Sequence, residues 1–520
     1  MPPRTPSPFQ PRQKQQTAPG DAEVGPAVRR PGKLPACTVS ELRRRIGEGE
    51  YLVIINGLVC KLNGFIDKHP GGPLAIQHMV GRDATDEVTS MHPREVLDDR
   101  MPRWAVARFV LDTASSSKHA VSFVEDMDLA YSAPRSASNG GKQYPQPGGA
   151  AAAAELDYVA IQRDYRKLEA HLRAAGFYQC RYSDYAYEGA RYAALFALAV
   201  GLILAGPHSA WTYLAAAVST ALLWQQLAFF AHDLGHNELT GRRRFDMVLG
   251  ICVGNLLGGL SVGWWKKNHN THHIVTNDVD NDPDIQHLPF FAVSTRLFES
   301  RWSTYYQRVM RFDAAARVMV ALQDRLYYPI MCFARYNLYV QSWSYLAFSS
   351  FAPFRWLEIG CIALFLVWFS WIVAHIPTWP LRLLYVLVAN SISAIIHIQI
   401  TLSHFAMSTE SPDPARECFA ARQVRTTMDV ACPRWLDWFH GGLQFQIEHH
   451  LFPRLPRHRL REVQPLVKNL CRKHRMDFME FSFIDGNVYT IRWLGEVARR
   501  VKLFDAHDRQ RAIDAAKSVS

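Results

Sequence analysis

The chain reads as two folds in tandem. A small α+β domain lies near the N-terminus, and an all-α integral membrane domain with about four transmembrane helices and a cytosolic histidine-rich cap follows it. Three observations predict this. Four apolar runs, about Tyr192–Leu204, Ala210–Phe230, Leu357–Ile376 and Leu381–Leu402, approach the ~20 residues that cross a bilayer. Two short β-rich runs flank Asn56-Gly57, a hairpin turn signal. Four groups of histidines stand just beyond the ends of apolar segments.

Composition narrows the class. The chain has 520 residues, enough for several domains and a buried core. With 48% hydrophobic and 20% charged residues it is not a disordered chain overall. A net charge of +11 suits nucleic acid or an anionic membrane face. The long apolar runs, and the lack of any nucleic-acid motif, favour the membrane and exclude a nucleic-acid partner. None of the nine cysteines forms a Cys-x-x-Cys pair, which argues against a disulfide framework or zinc ribbon and for a reducing compartment. Residues 1–36, rich in Pro, Gln and Arg, carry no apolar run for insertion and are expected to be a disordered cytosolic tail.

Residues 37–112 form the first domain. Thr38 and Glu41 fit a helix cap, with the helix running through Ile46. Tyr51–Ile55 and Leu58–Leu62 are the strands around Asn56-Gly57. His69 precedes Pro70-Gly71-Gly72, where glycines permit close approach of a flat ligand. His92 lies 23 residues on, after Gly81–Asp86, and two histidines on separate helices can clamp one metal from opposite sides. His78 is read as an ordinary helix residue. This stretch resembles the cytochrome b5 haem domain. The resemblance implies that His69 and His92 are the axial ligands of haem b, and bis-histidine ligation implies electron transfer rather than oxygen binding.

Residues 113–155, with Ser115-Ser116-Ser117, Asn139-Gly140-Gly141 and five alanines from Ala150, are expected to be a flexible linker that keeps the haem unit at high local concentration. Residues 156–188 predict a charged amphipathic helix ahead of the membrane. The apolar runs then pair into two hairpins, so the 232–350 loop and the tail after 403 share one side. Arg242-Arg243-Arg244, Lys266-Lys267 and Arg454–Arg461 make that side cytosolic. Met247–Leu260 is apolar but too short to span. The membrane domain is expected over 156–495, with 496–520 as a charged tail.

The histidines fall into a pattern. His232 and His236 are at i, i+4; His269, His272 and His273 are at i, i+3, i+4; Gln446, His449 and His450 repeat that spacing with glutamine first; His404 stands alone after the fourth run. Residues at such spacings share a helix face. Eight histidines exceed the needs of one metal and suit two. Imidazole ligation suits iron, copper, zinc or nickel. A fused electron carrier disfavours zinc, which has no redox chemistry, and leaves O2-activating iron as the natural candidate.

The three boxes, His-x-x-x-His, His-x-x-His-His and Gln-x-x-His-His, behind a cytochrome b5 unit resemble the front-end membrane desaturases. That resemblance implies His232, His236, His269, His272, His273, His404, His449 and His450 as ligands of two non-haem irons, with Gln446 a weak ligand or a donor behind the ligands. Trp264-Trp265-Lys266, Asp282–Phe290 and Asp437–Phe445 resemble the Δ8 sphingolipid long-chain-base desaturases, implying a ceramide-type lipid substrate, O2 as co-substrate, NADH-cytochrome b5 reductase as donor and residence in the endoplasmic reticulum membrane. Desaturation of an acyl lipid at Δ5 or Δ6, hydroxylation, and a catalytically dead haem-bearing scaffold are the rivals. Asp233, Glu448, Asp282 and Asp284 are candidate carboxylates behind the ligands, with turn or cap roles open for Asp282 and Asp284. His287 and His440 are placed near the site without an assigned role. Lys266-Lys267 or Arg454–Arg461, facing Asp83, Asp86 and Glu87, is the expected docking patch for the haem unit.

Overall fold

The computed structural model describes residues 34–110, 156–413 and 416–519, with side chains up to residue 504. Residues 1–33 of the expected tail and the expected linker at 113–155 lie outside the described residues.

The first domain follows its local signals. The Thr38 hydroxyl accepts the Glu41 backbone N–H and opens the helix Val39–Gly47. Asn56 and Gly57 both take positive φ, 50° and 72°, which a two-residue hairpin turn requires. Strands β1 (Ala36–Cys37), β2 (Leu52–Ile55), β3 (Leu58–Lys61) and β4 (Ala105–Phe109) form one sheet in the order β1-β4-β3-β2. The chain between β3 and β4 leaves the sheet to make the short helices Pro73–Gln77 and Thr85–Met91, which deliver His69 and His92.

The membrane domain has four helices long and apolar enough to cross a bilayer: Tyr182–Ala205, Ala210–His236, Arg355–Ala374 and Trp379–Leu402. The fourth is interrupted at Ala394. The second span is the central one. In its most apolar window 61% of residues are buried, against 17%, 28% and 33% in the others. Phe196, Leu198, Leu364, Val367, Leu383 and Leu387 remain exposed on the outer spans, as lipid-facing residues do. Met247–Leu260 falls within a sharply bent helix pair. The helix Arg243–Ile251 continues through a wide turn at Cys252–Leu257, then bends by 115° into Val262–Ile274.

Three boundaries differ from expectation. The helix expected over 156–188 is two: Tyr158–Ala174 ends at Gly176, whose φ is +76°, and the first span already begins at Tyr182. In its polar foot Tyr185 and Glu188 are buried, Glu188 pairing with Arg457 and accepting the Tyr192 hydroxyl at 2.6 Å, while Tyr182 and Tyr187 stay exposed. At the other end, Phe483–Val519 is one helix through the expected boundary at 495–496. Trp493, Leu494, Val497 and Val501 on it are buried against Val293, Phe298 and Phe312, so the chain stays anchored well past residue 495.

Candidate metal and haem sites

Box by box, local geometry brings the histidines together. The second span carries His232 and His236 on its last turn. Asn237, in the left-handed conformation (φ 60°), ends it one residue later. The helix Val262–Ile274 carries His269, His272 and His273. The short helix Gln446–Leu451 carries Gln446, His449 and His450, all buried. His404 follows the end of the fourth span. Residues from four separated segments thus converge on one end of the helix bundle.

They converge as two groups. In one, the ligand atoms of His232, His236, His269 and His449 lie within 4.8 Å of one another. In the other, those of His272, His404 and His450 do the same. His273 sits between the groups, its ring 4.8 Å from that of His449 and 4.3 Å from that of His450. Trp265 walls the first group, stacked on His269 at 4.6 Å. Gly235 makes room for it, since a Cβ there would lie 2.0 Å from the Trp265 ring.

The second group is oriented from behind. Asp282 accepts from His272 Nδ1 at 2.9 Å, Gln423 Oε1 accepts from His450 Nδ1 at 3.0 Å, and the Thr426 carbonyl accepts from His404 Nδ1 at 3.2 Å. Each Nδ1 is spoken for, so each Nε2 is left as the lone-pair donor. Burial first, then neighbouring imidazoles, hold His269, His273, His404, His449 and His450 well below the usual histidine range, so they are neutral. Burial opposes charge on His272 too, but Asp282 and Asp284 outweigh it and raise its pKa to about 9, so its Nε2 becomes a lone-pair donor only as a bound cation displaces that proton.

A cation pair fits this set. Nε2 of His232, His236, His449 and His450 and Nδ1 of His273 are buried without a hydrogen-bond partner. Orphaned polar atoms in that number are costly unless something else binds them. Neutral imidazoles with free lone pairs are what a transition metal needs. In the first domain, His69 Nδ1 donates to the Gly72 carbonyl at 2.9 Å and His92 Nδ1 to the Val88 carbonyl at 3.0 Å. Their rings stand 6.0 Å apart, centroid to centroid. Two facing imidazoles with Nε2 free match a flat group ligated from both sides.

The other expected residues find different places. Asp282 has both of its open roles, since it also accepts the backbone N–H groups of Asn277 and Asp284. Asp284 accepts from the Asn268 amide and lies 3.8 Å from His272. Asp233 is 3.5 Å from His232 but is held by the Tyr185 hydroxyl at 2.7 Å and by Arg457 at 2.9 Å. Glu448 meets Asp429 rather than an imidazole; burial, then that second carboxyl, push it well above the usual carboxylate range. His287 Nε2 donates to the Asp284 carbonyl, and His440 is bonded to Gln399 at 3.2 Å. Gln423 escaped the sequence reading. It belongs to no box and stands 27 residues from the histidine it orients.

The docking expectation is half met. The haem-domain acids Asp86 and Glu87 do face the membrane domain, but their partners are Arg166 at 2.6 Å and Arg422 at 2.9 Å. Of the expected basic residues, Lys266 is engaged with the Gly235 carbonyl, Arg457 with Asp233 and Glu188, and Arg461 with Asp437, while Lys267 lies against the His69 loop, its Cγ 3.9 Å from where a Cβ at Gly72 would stand. Asp83 accepts from Thr85 and caps its turn.

Comparison with known proteins finds a family match for each domain. Residues 209–482 match the fatty acid desaturase family and residues 38–120 match the cytochrome b5-like heme/steroid binding domain. The chain is 40% identical to a Delta 8-(E)-sphingolipid desaturase of Komagataella phaffii, over 89% of this chain and 94% of that one. It is 38% identical to the Delta 8-(E)-sphingolipid desaturase of Emericella nidulans, again over 89% and 94%. A Delta(8)-fatty-acid desaturase of Arabidopsis thaliana is 34% identical over the same shares. The chain therefore belongs to the membrane fatty acid desaturase family, in the form that carries its own cytochrome b5 domain.

Proposed function

We propose that this chain is a Δ8 sphingolipid desaturase that places a double bond in the long-chain base of a ceramide-type lipid. The observation that carries the chemistry is the pair of buried histidine groups, His232/His236/His269/His449 and His272/His404/His450, with His273 between them. The substrate rests on the names of relatives that match nearly the whole chain.

In this reading those eight histidines hold two iron ions, His69 and His92 hold haem b, and Gln446 backs the last box. When bound, the haem relays single electrons and the iron pair activates O2, so that two hydrogens leave neighbouring methylenes of the lipid. The residues of the chain do the rest. Asp282, Gln423 and the Thr426 carbonyl fix imidazole tautomers. An alkyl chain has no polar handle at the reacting carbons, so selectivity comes from positioning. NADH-cytochrome b5 reductase is the proposed donor, and the endoplasmic reticulum membrane the location, with both metal-binding domains cytosolic. The division into a haem domain at 37–112 and a desaturase domain beginning at 156 follows the same reading.

His272→Ala tests it. The variant is expected to lose the unsaturated product and keep an intact haem spectrum, and continued product formation would remove the site assignment. One observation keeps a second substrate class in view, since a plant relative is named for fatty acids. Acyl analysis of the same lipid extract separates the two.

A further inference from the structure

The haem domain rests directly on the helix that bears the histidine triplet. Ile274 and Val275, at the end of Val262–Ile274 and just beyond it, belong to the same hydrophobic cluster as Val53, Ile55, Ile76 and Met79 of the haem domain. Gly71, two residues after His69, is against that helix: a Cβ there would lie 2.9 Å from the His69 ring and 3.3 Å from the Asn270 amide nitrogen. Asn270 immediately follows His269. On the His92 side, a cleft is lined jointly by Glu87, Ser90 and Met91 of the haem domain and by His273, Ile274, Phe419 and His450. The His69 loop and the helix before His92 therefore each touch a segment that carries metal-site histidines.

Two ion pairs close this contact. Asp86, 3% exposed, takes Arg166 Nε at 2.6 Å and the Gln162 amide at 2.9 Å. Glu87 takes Arg422 at 2.9 Å, with both side chains mostly covered (11% and 17% exposed). Arg173 adds a hydrogen bond to the Thr89 carbonyl at 3.0 Å. Arg422 stands one residue before Gln423, which orients His450. One short helix thus grips the haem domain and positions a metal-site histidine.

We propose that Arg166 and Arg422 are the latch that holds the haem domain in its electron-delivering pose, with Asn270 filling the contact between the His69 loop and the histidine helix. The proposal rests on the desaturase reading. Each latched encounter passes one electron from the haem domain to the histidine site. Two such electrons and two protons, with two substrate hydrogens, reduce O2 to two water molecules. Buried pairs of this kind lose much when one partner is reversed, because the other charge is stranded.

The test uses the full-length, haem- and iron-loaded chain in nanodiscs. In Arg422→Lys a primary amine replaces the guanidinium, so a zero-length carbodiimide should link position 422 to Glu87. Mass spectrometry should find that cross-link, and Glu87→Gln should abolish it. Separately, the haem is reduced, O2 and lipid are added, and re-oxidation is followed optically. Arg422→Glu and Glu87→Arg should each slow re-oxidation about ten-fold or more, and the double exchange should restore most of the rate. Reduction of the haem by dithionite should not change. No 87–422 cross-link, or single variants as fast as the wild type, would overturn the latch. Wild-type haem that lipid and O2 fail to re-oxidise would count against the desaturase reading, while the cross-link still decides the docking.

Discussion

Asp282 carries two loads at once. Its carboxylate fixes the tautomer of His272 while also tying down the turn through Asn277 and Asp284. Removing its charge should loosen metal more than fold. Asp282→Asn is expected to lower iron retention about 10- to 100-fold, measured by metal analysis after dialysis against a graded chelator. Gln423→Leu removes the partner of His450 Nδ1, together with its bonds to the Thr276 hydroxyl and the His273 carbonyl, and should release roughly one iron of the two while leaving the haem in place. These two residues also mark the limit of what sequence can tell. Asp282 sits ten residues from its histidine, close enough to be suspected, and its spacing left both roles open. Gln423 meets His450 only after the chain has passed through the whole box-three loop, and glutamine carries no ligand signature of its own. Glu448 shows the converse. Its place beside His449 suggested support for an imidazole, but the short helix turns it toward Asp429.

Among the elements, the helix ends matter most. Box one works because Gly235 lets Trp265 lie across the second span. Gly235→Ala should cost about 1–3 kcal/mol or more through overpacking and should disturb the first histidine group. Thermal melting and iron content would report it, and adding Trp265→Ala should recover the fold by reopening the space. Arg457 ties the foot of the first span to the end of the second through Glu188 and Asp233. Arg457→Met removes the cation both carboxylates share, leaving Asp233 to the Tyr185 hydroxyl and Glu188 to Tyr192, Arg191 and His458, and should cost about 3 kcal/mol, read as a lower melting temperature in detergent, whereas Arg457→Lys should lose less. The same ion pairs explain why apolar runs located the first span but not its start. Tyr182–Arg191 is polar enough to look cytosolic, and cross-helix partners allow Tyr185 and Glu188 within it to be buried. The bend after Leu257 was equally invisible, since an apolar run of that length fits a short buried helix as well as half of a re-entrant one.

At the scale of the whole molecule, the even count of spans was the most legible feature. It places every histidine group at one end of the bundle, and the helices keep that promise. The docking of the haem domain was not legible. Acidic residues near His92 announced an interface, but several basic clusters could have answered them, and Arg166 and Arg422 lie outside the basic runs at 266–267 and 454–461. The overall arrangement joins a cytochrome b5-like domain and a desaturase domain in one chain. The central claim concerns what that chain makes. The most direct test is mass spectrometry of sphingolipids from a host that lacks the activity and expresses this chain. The account predicts long-chain bases lighter by two hydrogens, with the new double bond at the eighth carbon and the product absent in His272→Ala. Unchanged long-chain bases alongside newly unsaturated acyl chains, or products heavier by one oxygen, would contradict it.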